Sequence, residues 1–238
     1  MGRAYEVRKA SIQKTGAIKA KIYSNFAKEI YLAAKSGVAD IDSNINLKRW
    51  VEKAKKNQVP TDIIERAIEK SKGTGGEDYQ TVIYEGFGPG ASTLIIKCLT
   101  DNVNRTVSFV RGVFNKFDKT LGIPNSVSYN YDHLAIISFK SNEEETVFNA
   151  LVEAGINLID IESIDGFITI SASPNDYHAI KDILEKIILN IDYEIDEIGM
   201  YAKAKITLDK DDTETFLKLL KMLDEIDDVQ EIYHNVDL

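Results

Sequence analysis

The sequence predicts a multidomain α and α+β protein: a helical N-terminal domain followed by two α+β domains, the last ferredoxin-like and inserted into the middle one. Three observations carry this prediction. The 238 residues exceed one ordinary compact domain and fit two or three, each able to bury a core. The hydrophobic pattern changes after about residue 75, from helical spacing to short β-rich runs alternating with helical ones. A complete β-α-β-β-α-β order over 132–200 sits between two separate β-α-β halves. The expected domains are 1–77, then 78–131 together with 201–238, and 132–200 as the insertion.

Taken in order, Ile18, Ile22, Phe26, Ile30 and Ala33 recur at spacings of three and four, as on one helix face. Lys21, Lys28 and Lys35 recur every seven residues, on a side roughly opposite. After a break at Gly37 and Asp40–Asn44, Leu47, Trp50, Val51 and Ala54 mark a second helix carrying Lys48, Arg49, Lys53, Lys55 and Lys56. Pro60-Thr61-Asp62 opens a third, with Thr61 the expected N-cap. Gly73-Thr74-Gly75-Gly76 reads as a linker. The outer halves are strand 94–100, helix 105–117 and strand 126–131, then strand 205–208, helix 213–226 and strand 229–234. The inner unit is strand 135–139, helix 143–154, strand 159–164, strand 167–171, helix 175–189 and strand 193–198. Both sheets are expected to show an open face, a common binding platform.

Composition narrows the function. Apolar content of 44% with 28% charge is that of a globular chain. No apolar run reaches the roughly 18 residues a spanning helix needs, and Met1–Tyr5 opens no secretory signal, so a cytoplasmic protein is expected. Cys98 is the only cysteine, which excludes internal disulfides and cysteine-based zinc sites. Its apolar neighbours place it in a buried strand. The net charge of −9 conceals an asymmetry: residues 1–75 hold 16 Lys and Arg against 8 Asp and Glu, whereas 76–238 hold 13 against 30. A basic module aimed at polyanions, on an acidic body, accounts for this. The competing account is that the two surfaces attract each other.

Gly86-Phe87-Gly88-Pro89-Gly90-Ala91 superficially resembles a dinucleotide fingerprint. That fingerprint requires a following helix whose N-terminus holds pyrophosphate, but Thr93–Ile96 is β-rich and Pro89 lacks a donor, so a turn between strands is expected. His133, His178 and His234 are scattered, with no metal-ligand neighbour at helical spacing. Glu143–Glu145 and Asp211-Asp212 fit helix starts, where the dipole favours carboxylates. Asp227-Asp228 could bind Mg²⁺ in a metal-dependent nuclease, although a solvated turn is the better reading. No cofactor, metal site, catalytic residue or small-molecule substrate is expected.

Two features point to nucleic acid. Arg3, Arg8, Lys9, Lys14, Lys19, Lys21 and Lys28 lie in a stretch where Glu6 is the only acid among the first 28 residues, a composition that neutralises phosphates without reading sequence. Asp101-Asn102-Val103-Asn104-Arg105-Thr106 follows a strand, where Asn102, Asn104 and Arg105 can present amides and a guanidinium fork to phosphates or base edges. The alternative for this run is helix capping by Asn102 or Asn104, with Arg105 in a salt bridge.

The stretches Thr81–Gly90, Asp101–Thr106 and Asp227–Asn235, with the helical pattern of Leu47–Lys72, closely resemble the YebC/PmpR family over nearly the whole chain. One departure is the N-terminus. Most members begin with a Gly-His-Ser-Lys-Trp type of segment, where this chain has Gly2-Arg3-Ala4-Tyr5-Glu6-Val7-Arg8-Lys9, leaving Arg3 and Tyr5 to meet what the His and Trp contact. The resemblance implies a helical first domain, two α+β domains and a cytosolic regulator of gene expression, and since no nucleophile stands with a base in the sequence, no enzyme is expected. Family members are described as DNA-binding transcriptional regulators. The mitochondrial translational activator of cytochrome oxidase belongs to the same family, which implies ribosomal RNA and the ribosome as alternative partners. A lysine stripe serves either polyanion.

Overall fold

The computed structural model describes residues 19–73 and 78–238, with the backbone alone for Lys19 and Ala20. Among these residues seven α-helices and two four-stranded sheets form two units, one holding the described residues up to Ser126 with Leu208–Ile232, the other Val127–Thr207 with Tyr233–Leu238.

The first unit begins with helix α1 (Lys19–Lys35), whose Ile30 and Ala33 are buried as their spacing predicts. Helix α2 (Ile45–Lys56) starts at Asn44, whose side chain accepts from the Leu47 N–H at 3.0 Å and donates to the Ala33 and Val38 carbonyls at 2.9 Å. One asparagine thus caps α2 and ties it to the end of α1. Helix α3 (Thr61–Ser71) is opened by Pro60 rather than Thr61, which is the first helical residue and makes no side-chain cap. The carbonyl of extended Pro60 takes the first helical N–H bonds, leaving Thr61 no capping role. Leu47, Val51, Ala54, Ile64 and Ala67 close a core against α1, and Phe26 meets Trp50 edge-on at 6.2 Å.

Strands β1 (Gln80–Phe87) and β2 (Thr93–Thr100) form an antiparallel hairpin. Its turn is the glycine-rich run, closed by Gly88 N–H to Ser92 O at 2.9 Å, with Gly90 in the left-handed region at φ +59°. A strand follows that run, as expected of a turn rather than a nucleotide loop. Helix α4 (Val103–Lys116), the short β3 (Thr120–Leu121), helix α7 (Lys210–Asp224) and β8 (Val229–His234) complete the unit, with sheet order β3-β1-β2-β8. Phe114 of α4 lies against Gly86, where a Cβ would come within 2.4 Å of the ring, and Phe216 of α7 lies near Gly88. α1 meets the opposite face, where Gln230 donates to Asn25 at 3.2 Å. Cys98 is fully buried in β2, and its thiol is pushed up to about 12, chiefly by burial.

The second unit runs β4 (Tyr131–Lys140), α5 (Glu144–Glu153), β5 (Leu158–Ile164), β6 (Phe167–Ala172), α6 (Tyr177–Ile187) and β7 (Tyr193–Ala202), with strand order β5-β6-β4-β7 and antiparallel pairing throughout. Val147 and Leu151 of α5, with Ile180 and Leu184 of α6, pack on Ile137, Phe139, Ile168 and Ile170. The expected helix starts hold: Glu144 and Glu145 occupy the first turn of α5, and Asp211 and Asp212 that of α7, which Asp209 caps.

Several expectations need correction. Residues 126–131 are not a strand: local bonds such as Asn130 N–H to Val127 O (3.0 Å) draw Ser128–Asn130 into a 3-10 turn. Residues 205–208 make only the single parallel bridge Ile206–Val236. The outer sheet is instead completed by β1, so it does not have the split β-α-β order. The sheets are open only in part: Ile83 and Phe87 of β1 are exposed in the first, whereas in the second Leu134, Ile136, Ser138, Thr169 and Ser171, on the face away from α5 and α6, are buried.

Candidate nucleic-acid interface

The β2–α4 junction is built as its sequence allows, and the capping alternative is the one realised. Asn102 is the N-cap of α4, its side chain accepting from the Arg105 N–H at 3.0 Å. Arg105 places one guanidinium nitrogen 2.8 Å from Asp101 and 3.0 Å from Asp228. Asn104 is exposed on the first turn. Asp228, expected in a solvated turn, is only 5% exposed, although Asp227 beside it is exposed. The Thr100 and Thr106 hydroxyls donate to Asp228 at 3.2 and 2.8 Å, and Lys28 stands 3.4 Å away. Burial works to raise the Asp228 carboxyl, but hydrogen bonds from Arg105 and Thr106 and the charges of Lys28 and Arg105 outweigh it. The carboxyl is held below its ordinary range, and the Arg105 guanidinium is held above its own by Asp228 and Asp101.

Arg3, Arg8, Lys9 and Lys14 lie outside the described residues, as does the side chain of Lys19. The other lysines of the stripe face carboxylates. Lys21 reaches Asp224 at 2.7 Å, Lys28 donates to the Asp227 carbonyl at 2.8 Å, and Lys35 meets Asp78 at 2.7 Å. The side chains of Lys21 and Lys28 are only 15% and 13% exposed. For these three positions the attraction between basic and acidic segments is what the fold uses. Buried next to carboxylates, Lys21 and Lys28 have little charge to offer an external phosphate.

Basic charge is exposed elsewhere. Lys48 and Lys55 point outward from α2, whose only acid is Glu52. In the sequence these lysines mark only the polar side of an amphipathic helix, which does not distinguish a solvated face from a phosphate contact. Beside Arg105 an open cleft of about 660 Å³ is lined by Lys28, Tyr79, Phe109 and the acidic residues Asp101, Glu225 and Asp227. Among the described residues no three His, Cys, Asp or Glu groups stand together as a metal site, and no helix is long and apolar enough to cross a membrane.

Comparison with known proteins covers the whole chain. The model of the TACO1/YebC N-terminal domain matches residues 3–74, and that of the TACO1/YebC second and third domain matches 79–236. A probable transcriptional regulatory protein of Marinobacter nauticus is 46% identical over 238 residues, spanning 100% of this chain and 99% of the relative. One from Vibrio cholerae is 43% identical, with 100% of both chains covered. The crystal structure of a conserved hypothetical protein from Aquifex aeolicus superposes with a TM-score of 0.76 at 32% identity, covering 94% of this chain and 93% of that one.

Proposed function

Since the chain belongs to the TACO1/YebC family, and its relatives are named transcriptional regulators, we propose that it regulates gene expression by binding nucleic acid, without catalysis. The observation that carries this is the concentration of basic charge in the first 75 residues, part of it displayed on α2 at Lys48 and Lys55. Duplex DNA is the first target, because the relatives are named for transcription. Arg3, Arg8, Lys9, Lys14 and Lys19 join α2 as phosphate contacts, whereas at the head of α4, where Asn102 and Arg105 are engaged in the cap and in ion pairs, Asn104 is the exposed group left to make a second contact. Counterion release then drives binding, so log K falls with log[salt].

Fluorescence anisotropy of the full chain with labelled duplex DNA, across a salt series, tests this reading. Each of Lys48→Ala and Lys55→Ala should lower the slope by about 0.9. Salt-independent affinity, or none at all, would sink the proposal. A second reading, ribosomal RNA as the target, is favoured by an exposed Phe109 on α4, since aromatic side chains suit unpaired bases. Cross-linking in cells followed by sequencing separates the two, by recovery of promoter DNA or of ribosomal RNA.

The same proposal includes the domain plan: 132–200 as a ferredoxin-like insertion in a middle domain made of 78–131 and 201–238. The strand order β5-β6-β4-β7 supports it.

A further inference from the structure

The cleft beside Arg105 is walled by α1, α4 and the turn that follows α7, and its charges do not balance. Asp101, Glu225, Asp227 and Asp228 line it against Lys28 and Arg105. Both cations are already engaged: Arg105 pairs with Asp101 and Asp228, and Lys28 stands against Asp228. Glu225 and Asp227 remain, exposed and with no cation on either side chain among the described residues. Both sit at the C-terminal end of α7, where Glu225 is the C-cap and the helix dipole favours a positive charge over a carboxylate. In the same cleft Phe109 stands away from the core-facing side of α4, formed by Thr106, Val110, Val113 and Phe114, and is 54% exposed. Its ring meets no other ring and no cation among the described residues. Tyr79, the other ring of the cleft, already has the Lys28 ammonium 5.8 Å from its centroid.

From this we infer that the cleft is a docking site for a basic segment of a partner protein, with an arginine side chain laid over Phe109 and its guanidinium bonded to Glu225 and Asp227. Charge complementarity identifies a cation, and the surplus carboxylates repel a phosphate chain. The exposed ring identifies the shape of that cation. A planar guanidinium stacks on an aromatic face and offers a carboxylate paired N–H donors, which an ammonium does not. A metal ion would need a set of ligands, and among the described residues no three His, Cys, Asp or Glu groups stand together to supply one. The cleft, at about 660 Å³, lies within the roughly 300–1,000 Å³ of ligand sites, enough for the side chain and its flanking backbone. Bound there, the guanidinium places positive charge where the end of α7 favours it. The inference goes beyond nucleic-acid binding through the basic segment and does not depend on it.

The test uses the full chain and the fluorescein-labelled peptide Gly-Ser-Arg-Gly-Arg-Ser-Gly, followed by anisotropy at low salt, with lysine and glutamine versions of the peptide beside it. The arginine peptide should bind, the lysine peptide more weakly, and the glutamine peptide not at all. Phe109→Leu keeps an apolar side chain and removes the ring. It should weaken the arginine peptide roughly 2- to 30-fold, while Phe109→Tyr restores binding. Glu225→Gln and Asp227→Asn should each weaken it about 1.5- to 5-fold, and together they should flatten its salt dependence. Thermal melting of each variant confirms that it is folded; should Phe109→Leu fail to fold, the two carboxylate variants decide. The same proteins are titrated with a short labelled RNA without secondary structure. Loss of RNA binding in Phe109→Leu with peptide binding unchanged would give the ring to an unpaired base and overturn the inference. Equal affinity for the three peptides, or an arginine peptide indifferent to all three side chains, would overturn it as well. Free arginine that displaces the peptide at an equal concentration would make the cleft a small-molecule site and sink the protein partner.

Discussion

Asp228 keeps a buried negative charge because four groups converge on it: two threonine hydroxyls, a guanidinium and an ammonium. Asp228→Asn preserves shape and removes the charge, leaving Arg105 with Asp101 and Lys28 with the Asp227 carbonyl but both without the buried carboxylate. The expected loss is about 1–3 kcal/mol, measured as a lower denaturation midpoint with an unchanged m-value. Since the folded carboxyl lies below its unfolded value, this stability is present above about pH 3.9 and is lost as pH falls through the folded value. Glu29 behaves oppositely. Its carboxyl is raised, mainly by burial, with Lys97 opposing and Glu231 adding. The folded state therefore binds the proton more tightly than the unfolded chain, and the charged form destabilises the fold near neutral pH. Glu29→Gln should raise the melting temperature at pH 7, by an increment that shrinks as pH falls through the raised value. A melting temperature that does not rise at pH 7 would contradict this account of Glu29.

At the scale of elements, the glycine-rich hairpin and α4 depend on each other. Gly86→Ala drives a methyl group into the Phe114 ring, and overpacking of this kind costs about 1–3 kcal/mol. A thermal shift too small to detect would mean that Phe114 can move aside. Asn102→Ala removes the cap of the same helix and should cost about 0.5–2 kcal/mol in denaturant unfolding. Much of this level could be read from sequence. The β8 span follows from its β-rich run, and α2 from Leu47, Val51 and Ala54 at helical spacing. Local patterns failed where long-range pairing decides. Ile206 sits in an apolar run that resembles a strand, yet only Val236 pairs with it. The lysine stripe shows the same limit of local pattern. Spacing by seven shows that Lys21 and Lys28 share a helix side, but not that Asp224 and Asp228, about 200 residues later, will occupy it. Asp228 had no signal of its own, because an Asp-Asp pair before a strand looks like a turn until Thr100, Arg105 and Thr106 are folded against it.

For the whole molecule, the opposing charges of the two chain segments serve partly to hold the fold together, which divides the basic residues into two classes. Lys28→Met should act on stability. It leaves Asp228 short of a cation, costs about 1–3 kcal/mol, and should change the salt slope of nucleic-acid binding little. Lys48→Ala and Lys55→Ala should do the reverse, since exposed single charges contribute little to stability but each released counterion counts in the slope. Measuring melting temperature and salt slope on the same three variants separates the classes. If Lys28→Met lowered the slope as much as Lys48→Ala while the protein stayed equally stable, then Lys28 would be an external contact. The ion pair with Asp228 would have to open on binding, and the division drawn from burial would be wrong.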